Sequence, residues 1–410
     1  MNILLVNHYA GSARHGMEYR PYYLGRHWHA AGHAVRVMAA SFSHVRTEQI
    51  QTSGGITAED IDGLSYRWYR TPPYAGNGVR RVANIFSFVG RLWREVTQLV
   101  REFEPDLVIA SSTYPLDIYP CARIARRAGA KLVFEVHDLW PLSPIELGGM
   151  SRRHPFIALL QHAEDYACRH ADYVVSMLPL AKAYLESRGM APAKFLHVPN
   201  GVELSEWTQA AAALPALVSA RIEELRAAER FLVGYAGAHG VANALHQFID
   251  SARQLDGADA VLVLAGQGPE KPALEEQVRQ LGLSNVVFLP PVPRAAVPAL
   301  LGAMDALYIG LQRQPLFRFG VSPNKLMDYM MAGKPVIQAI DAGNDLVAEA
   351  GCGVSVPPED PQAIAEAVRR LMGLDPKESL AMGGRGRSFV ARHHAYPVLA
   401  RRFLAAVSAP

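Results

Sequence analysis

Cysteine is scarce: Cys121, Cys168 and Cys352 are far apart, odd in number and outside any CxxC spacing, which argues against a disulfide framework and a cysteine zinc site. No apolar run approaches the ~20 residues that cross a bilayer, so no spanning helix is expected. An excess of one charge is also missing. Lys and Arg number 41 against 38 Asp and Glu, a net charge of +3, which gives no reason to expect a nucleic-acid partner. The opening "MNILLVNHYAG" lacks the basic start and small-residue cleavage site of a secretion signal, and a cytoplasmic protein is the expectation. No GxGxxG fingerprint follows this first apolar run.

Half of the 410 residues are hydrophobic, enough for two domains at roughly 150 residues each. Short β-branched runs alternate with helical patterns: "NILLVN", a helix over 22–31, "HAVRVMAA", a helix over 83–102, "DLVIAS", a helix over 118–128, and "KLVFEVHD". Continuous buried strands alternating with amphipathic helices imply a parallel sheet covered on both faces. After an Ala-rich, helix-prone stretch over 210–229 the rhythm restarts with "FLVGYAG", "AVLVLAG", "NVVFLP", "ALYIGL", "PVIQAI" and "GVSVP". The fold class is therefore α/β, with two Rossmann-like, doubly wound domains facing across a cleft at the carboxyl ends of their strands.

Candidate site residues lie where strands run out. In "NHYAGSARHGMEYRP", Gly11 and Gly16 permit close backbone approach, and Glu18 and Arg20 stand at the start of the next helix; a plain flexible loop explains the stretch equally well. His137 ends an apolar strand in "FEVHDLWP" beside Asp138 and Trp140, either at an active-site edge or hydrogen-bonded within its own loop. "YAGAHGVANA" brings Gly237, Gly240 and Asn243 to a helix start, a seat for a pyrophosphate. In "RFGVSPNKLMDYMMAGKPV", Ser322, Asn324 and Lys325 can offer donors to phosphate oxygens and Asp328, three residues on, can accept ribose hydroxyls; an ordinary Lys and Asp pair on a solvated face is the alternative.

Taken together, "ILLVNHYAGSARHGMEYRPYYL", "FEVHDLWP", "VPNGVE", "AGQGP", "NVVFLPPVP", "SPNKLMDYMMAGKPV" and "AGCGVSVPPEDPQAIAEAV" resemble the retaining glycosyltransferases of family 4. The likeness is to their GT-B fold and to the bacterial branch that builds surface polysaccharides such as O-antigen, capsule and exopolysaccharide. The resemblance implies an N-terminal acceptor domain over 1–205, with a C-terminal helix over 385–410 packing back on it, and a donor domain over 206–384. His137 corresponds to the family's active-site histidine and Gly16 to its glycine loop. Asp328 falls at the second glutamate of an E-x7-E motif that binds ribose, and Val292 lies in the segment that contacts the base. Glu18, Arg20, Asp138 and Trp140 are the expected acceptor contacts. The first glutamate of the motif falls at Gly320, and the family's usual Arg and Lys are replaced by Ala238 and Asn243. Lys325 is then the expected stabiliser of the leaving group, with Arg313 or Arg318 in reserve.

The implied activity is a hexosyltransferase (EC 2.4) that moves a sugar, an N-acetylated hexosamine, from a UDP-linked donor to a glycan or polyprenyl-linked acceptor with retention. A sugar-nucleotide epimerase of related fold and a non-catalytic nucleotide-sugar-binding partner are the alternatives. No metal or cofactor is expected: the D-x-D of Asp60 and Asp62 precedes Gly63 in what reads as a turn, and His393 and His394 are adjacent, not on one helix face at i and i+4. The helix "VRRVANIFSFVGRLWREVTQLVREF" carries Phe86, Val89, Trp93, Val96 and Val100 beside Arg80, Arg81, Arg91 and Arg94. It reads either as core-facing with a basic solvated side or as peripheral on the anionic inner face of the cell membrane.

Overall fold

The computed structural model describes the whole chain except residues 53, 77, 209–211, 256, 258, 409 and 410. It divides into two compact units, Met1–Pro199 with Tyr396–Pro410, and Asn200–Ala395.

The first unit has eight strands among its described residues: β1 (Asn2–Val6), β2 (Ala34–Ala40), β3 (Ile56–Ile61), β4 (Leu64–Tyr69), β5 (Leu107–Ala110), β6 (Lys131–Val136), β7 (Tyr173–Ser176) and β8 (Phe195–His197), in the order β3-β4-β2-β1-β5-β6-β7-β8. All neighbours pair in parallel except β3 and β4. That antiparallel pair closes through Asp62 and Gly63, both at positive φ (52° and 82°), the backbone that an Asp-Gly hairpin turn requires. The D-x-D motif is thus consumed by the hairpin: Asp60 Oδ1 accepts from the Gly63 N–H at 3.1 Å, and the Tyr22 hydroxyl donates to Asp62.

Helix Val79–Phe103 buries Asn84, Ile85, Phe88, Leu92, Val96 and Leu99 against the sheet. Phe86 and Trp93 stay 47% and 44% exposed, so the apolar residues read together from sequence divide between two faces. The C-terminal segment also divides. Helix Pro376–His393 stays with the second unit, where Arg387 Nε and Nη2 donate to the Met331 and Ala332 carbonyls at 2.9 and 3.0 Å. Only helix Tyr396–Val407 packs on the first unit, stacking Tyr396 on Tyr23 at 4.9 Å and accepting the Trp28 indole N–H at the Ala400 carbonyl.

The second unit is an all-parallel sheet of β9 (Phe231–Ala236), β10 (Ala260–Ala265), β11 (Val286–Leu289), β12 (Ala306–Gly310), β13 (Val336–Ala339) and β14 (Gly353–Val356), in the order β11-β10-β9-β12-β13-β14. Of the Ala-rich stretch, Ala216–Ala227 is helical, and residues 210 and 211 lie outside the described set. Chain direction across each sheet reverses beside its first strand, β1 or β9. That makes the loops after β1 and β9 the topological switch points where α/β sheets take ligands.

Candidate functional site

In the first unit the switch point is organised by a buried carboxylate. Glu135 lies on β6 with its side chain on the same face as His137, as the two-residue period of a strand dictates. It is 1% exposed and accepts from Arg20 Nε and Nη2 at 3.0 and 2.9 Å. Burial pushes the Glu135 carboxyl up, but the Arg20 guanidinium and hydrogen bonds from His137 and Ser111 outweigh that and hold it well below the usual carboxylate range. Ser111, just past β5, donates its hydroxyl to Glu135 Oε2 at 2.6 Å, and His137 Nε2 stands 2.8 Å from that hydroxyl and 3.3 Å from Oε2. With the serine proton committed to Glu135, Nε2 is the donor.

Arg20 corrects an expectation. Rather than reaching an acceptor it is fully buried, with the guanidinium shared among Glu135 and the Val198 and Pro199 carbonyls. The remaining first-unit candidates are half-buried or folded into their loop. Glu18 accepts the Arg20 N–H at 3.4 Å, and Asp138 Oδ1 accepts from the Leu139 N–H at 2.8 Å, with burial pushing its carboxyl up. Arg81 lies over the Trp140 ring at 5.7 Å. At Gly16 the backbone takes φ +93°, and a Cβ would stand 2.6 Å from Thr47 Oγ1, so this glycine seats its loop on residues 46–47. That space is filled by protein, not left for a ligand.

In the second unit the structure brings Gly237, Gly240, Asn243 and Lys325 together past β9. Lys325, half-buried in the first turn of helix Asn324–Met331, donates to Asn243 Oδ1 at 2.6 Å and to the Tyr235 hydroxyl at 2.9 Å. Both hydroxyl and side-chain amide are further held by the Ala238 carbonyl, at 2.7 and 3.0 Å. A Cβ on Gly237 would stand 3.5 Å from Lys325 Nζ, and one on Gly240 would stand 3.8 Å from Asn243 Nδ2. Among the described residues Lys325 makes no ion pair, and burial pushes its amine down to about 8. His239 lies in the same loop, fully buried, with no hydrogen-bond partner on either ring nitrogen; burial, then the charges of Lys271 and Lys325, push it down to about 4.

Asp328 is placed differently from expectation. Its carboxylate is not free: Arg294 Nη1 and Nη2 donate to Oδ2 and Oδ1 at 2.5 and 2.9 Å, and the same guanidinium meets Glu206 at 2.9 Å. Ser322 Oγ accepts the Asn200 N–H at 2.9 Å, Asn324 is half-buried at the helix start, and Val292 packs on the core beside Arg294. Gly320 takes φ 91°, ψ 172°, a conformation in which any residue with a Cβ is strained, so the absent glutamate is matched by a backbone suited to glycine. Arg313 pairs with Asp341 at 3.4 Å, and Arg318 donates to the Pro315 carbonyl at 2.6 Å.

Sequence reasoning missed Glu135, Ser111, Tyr235, His239 and Arg294. Glu135 had a signal, a lone acid inside an apolar strand; Arg294 had none, because its partners are 34 and 88 positions away.

Residues 15–201 match the Glycosyl transferase 4-like domain, and residues 230–373 match the Glycosyl transferases group 1 domain. The chain is a glycosyltransferase whose two halves belong to these two domain families. This transferase is 25% identical over 86% of its length to a protein of Escherichia coli assigned to colanic acid biosynthesis as glycosyl transferase WcaI, spanning 88% of it. Among solved structures, HepE of Anabaena in complex with UDP and glucose matches over 100% of both chains with a TM-score of 0.68 at 18% identity. Sucrose-phosphate synthase of Thermosynechococcus elongatus matches over 99% of this transferase and 98% of that chain, with a TM-score of 0.74 at 18% identity. The fold is GT-B, each parallel-sheet unit being one of its domains.

Proposed function

We propose that this glycosyltransferase moves a hexose, an N-acetylated hexosamine, from a UDP-linked donor to a glycan or polyprenyl-linked acceptor of bacterial surface polysaccharide, with retention at the anomeric carbon and without a metal. The observation that carries the reading is Lys325. A half-buried ammonium whose hydrogen bonds go only to neutral oxygens, at a switch point, has charge to give to an anion.

The diphosphate sits against Lys325 and the amides that open helix Asn324–Met331. The acceptor hydroxyl oxygen bonds to the anomeric carbon on the face from which the diphosphate departs, and its proton passes to the departing phosphate oxygen. Stabilising the charge that develops on that phosphate is then the main contribution of the protein. Asp328 takes ribose hydroxyls through the lone pairs that Arg294 leaves open, since a carboxylate offers about four acceptor positions. The first unit serves the acceptor: His137 Nδ1, oriented through Nε2 by Ser111 and Glu135, accepts from a sugar hydroxyl. The UDP bound by HepE, which shares this fold, supports a UDP-linked donor. The relation to a colanic acid transferase supports the polysaccharide assignment.

The test is proton NMR of the purified protein with UDP-sugars and a glycan acceptor. Release of UDP with a product of unchanged anomeric configuration is expected; interconversion of UDP-sugars without acceptor would make the protein an epimerase, and binding without turnover would make it a partner protein.

A further inference from the structure

Asn200, the asparagine of "VPNGVE", gives both of its donor groups to one residue 122 positions away. Its backbone N–H donates to Ser322 Oγ at 2.9 Å, and its Nδ2 donates to the Ser322 carbonyl at 2.7 Å. Asn200 is itself held: His394 Nδ1 donates to its carbonyl at 3.1 Å, and the Val202 N–H donates to the His394 carbonyl at 2.9 Å. Within this arrangement Asn200 Oδ1 is buried with no hydrogen-bond partner. An unpaired amide oxygen in the interior lowers stability, and an apolar side chain would fill the place without that cost. What the asparagine adds over such a side chain is its grip on Ser322.

Ser322 lies in a segment fixed from both sides. Val321, the residue before it, meets Asn344 in the same two-point way: Asn344 Oδ1 accepts the Val321 N–H at 2.7 Å and Nδ2 donates to the Val321 carbonyl at 3.1 Å. Pro323, the residue after it, disfavours helical backbone at Ser322 and caps helix Asn324–Met331, whose first turn carries Lys325. Ser322 is half-buried, not sealed. Its Oγ takes the Asn200 N–H on one lone pair, and among the described residues its own proton reaches no protein acceptor. A hydroxyl with an unspent proton is thus held in place two residues before the donor helix.

We propose that Asn200 is a positioning residue of the donor site: it sets Ser322 so that the hydroxyl donates to a phosphate oxygen of the nucleoside diphosphate held at Lys325. The proposal rests on the donor reading above. It adds to that reading a neutral donor beside the ammonium, fixed by a residue that does not touch the ligand. A hydroxyl already held in place needs little reordering when the anion arrives, and that advantage is what loosening Asn200 removes.

The experiment is calorimetry of UDP with wild type, Ser322→Ala, Asn200→Ala and the double variant, with Lys325→Ala as the reference. Uridine, which has no phosphate, is followed in parallel by ligand-observed NMR. Ser322→Ala should weaken UDP by about tenfold, one hydrogen bond to a charged acceptor, and Ser322→Thr, which keeps the hydroxyl, should bind as wild type does. Asn200→Ala should weaken UDP by about three- to tenfold, and the double variant should lose no more than Ser322→Ala alone, because the asparagine acts through that hydroxyl. Uridine affinity should be equal in all of them. A purely structural Asn200 would lower uridine and UDP together, or add its loss to that of Ser322→Ala, and either result overturns the proposal. So does unchanged UDP affinity in Ser322→Ala, a readout that does not depend on Asn200→Ala folding. If Lys325→Ala weakens UDP while the Ser322 and Asn200 variants do not, the positioning role fails alone; if wild type binds no UDP, the donor reading fails and the proposal falls with it.

Discussion

Arg294 and Asp328 form a two-point ion pair, Nη1 to Oδ2 at 2.5 Å and Nη2 to Oδ1 at 2.9 Å, that ties the segment after β11 to helix Asn324–Met331. The carboxylate that the sequence offers to a ribose is therefore oriented by a cation 34 positions away. Its binding role and its structural role can be separated by changing the ligand as well as the protein.

Asp328→Asn should weaken UDP by about tenfold, the cost of one or two hydrogen bonds to a charged acceptor. The same substitution should leave the affinity for 2′,3′-dideoxy-UDP unchanged, because that ligand has no hydroxyls to lose. Equal losses for both nucleotides in calorimetry would restrict Asp328 to its pairing with Arg294. Arg294→Ala should lower the unfolding free energy by about 1–3 kcal/mol in a urea titration, as two carboxylates lose a shared partner.

The two βα series and the parallel sheets could be read from the sequence because continuous runs such as "AVLVLAG" and "DLVIAS" carry that information locally. The grouping of Gly237, Asn243 and Lys325 was also accessible, since switch-point geometry gathers the ends of neighbouring strands. Side-chain commitment was not. Whether Arg20 reaches outward or turns in to Glu135, and whether Asp328 is free, depend on pairs 115 and 34 residues apart, for which one sequence holds no spacing rule. Nor does a run of apolar residues at helical spacing say that Val96 goes in while Phe86 and Trp93 stay out.

The Glu135 pair should dominate the stability of the first unit. Glu135→Gln leaves Arg20 buried without an anion and should cost about 3–5 kcal/mol. Because the carboxyl is held below its ordinary range in the folded chain, its contribution is complete at neutral pH and is lost as pH falls through and below the usual glutamate value. Urea titrations at stepped acidic pH should show wild type losing more stability than Glu135→Gln over that interval.

Lys325 predicts a slope of the same sign at alkaline pH. Its folded value of about 8 lies below the ordinary 10.5, so between these values the unfolded chain binds more protons and this group makes the fold more stable as pH rises. UDP affinity should fall over the same interval as the ammonium is lost. Both trends should be absent in Lys325→Met when followed by calorimetry and thermal unfolding.

The exposed Phe86 and Trp93 of helix Val79–Phe103, with Arg94 and Arg101 exposed on the same helix, should bring the protein to anionic vesicles. Co-sedimentation with phosphatidylglycerol vesicles at low salt should exceed that with phosphatidylcholine, and the double variant Phe86→Ser, Trp93→Ser should remove most of the difference. Equal, negligible sedimentation with both lipids would leave the helix as a solvated face.

The most direct test of the donor site is isothermal titration of UDP into wild type and Lys325→Ala. A donor diphosphate seated on this ammonium predicts binding by wild type and a loss of about ten- to a hundredfold in the variant, with the fold intact by circular dichroism. Equal affinity in the two proteins would contradict it and move the diphosphate away from Lys325.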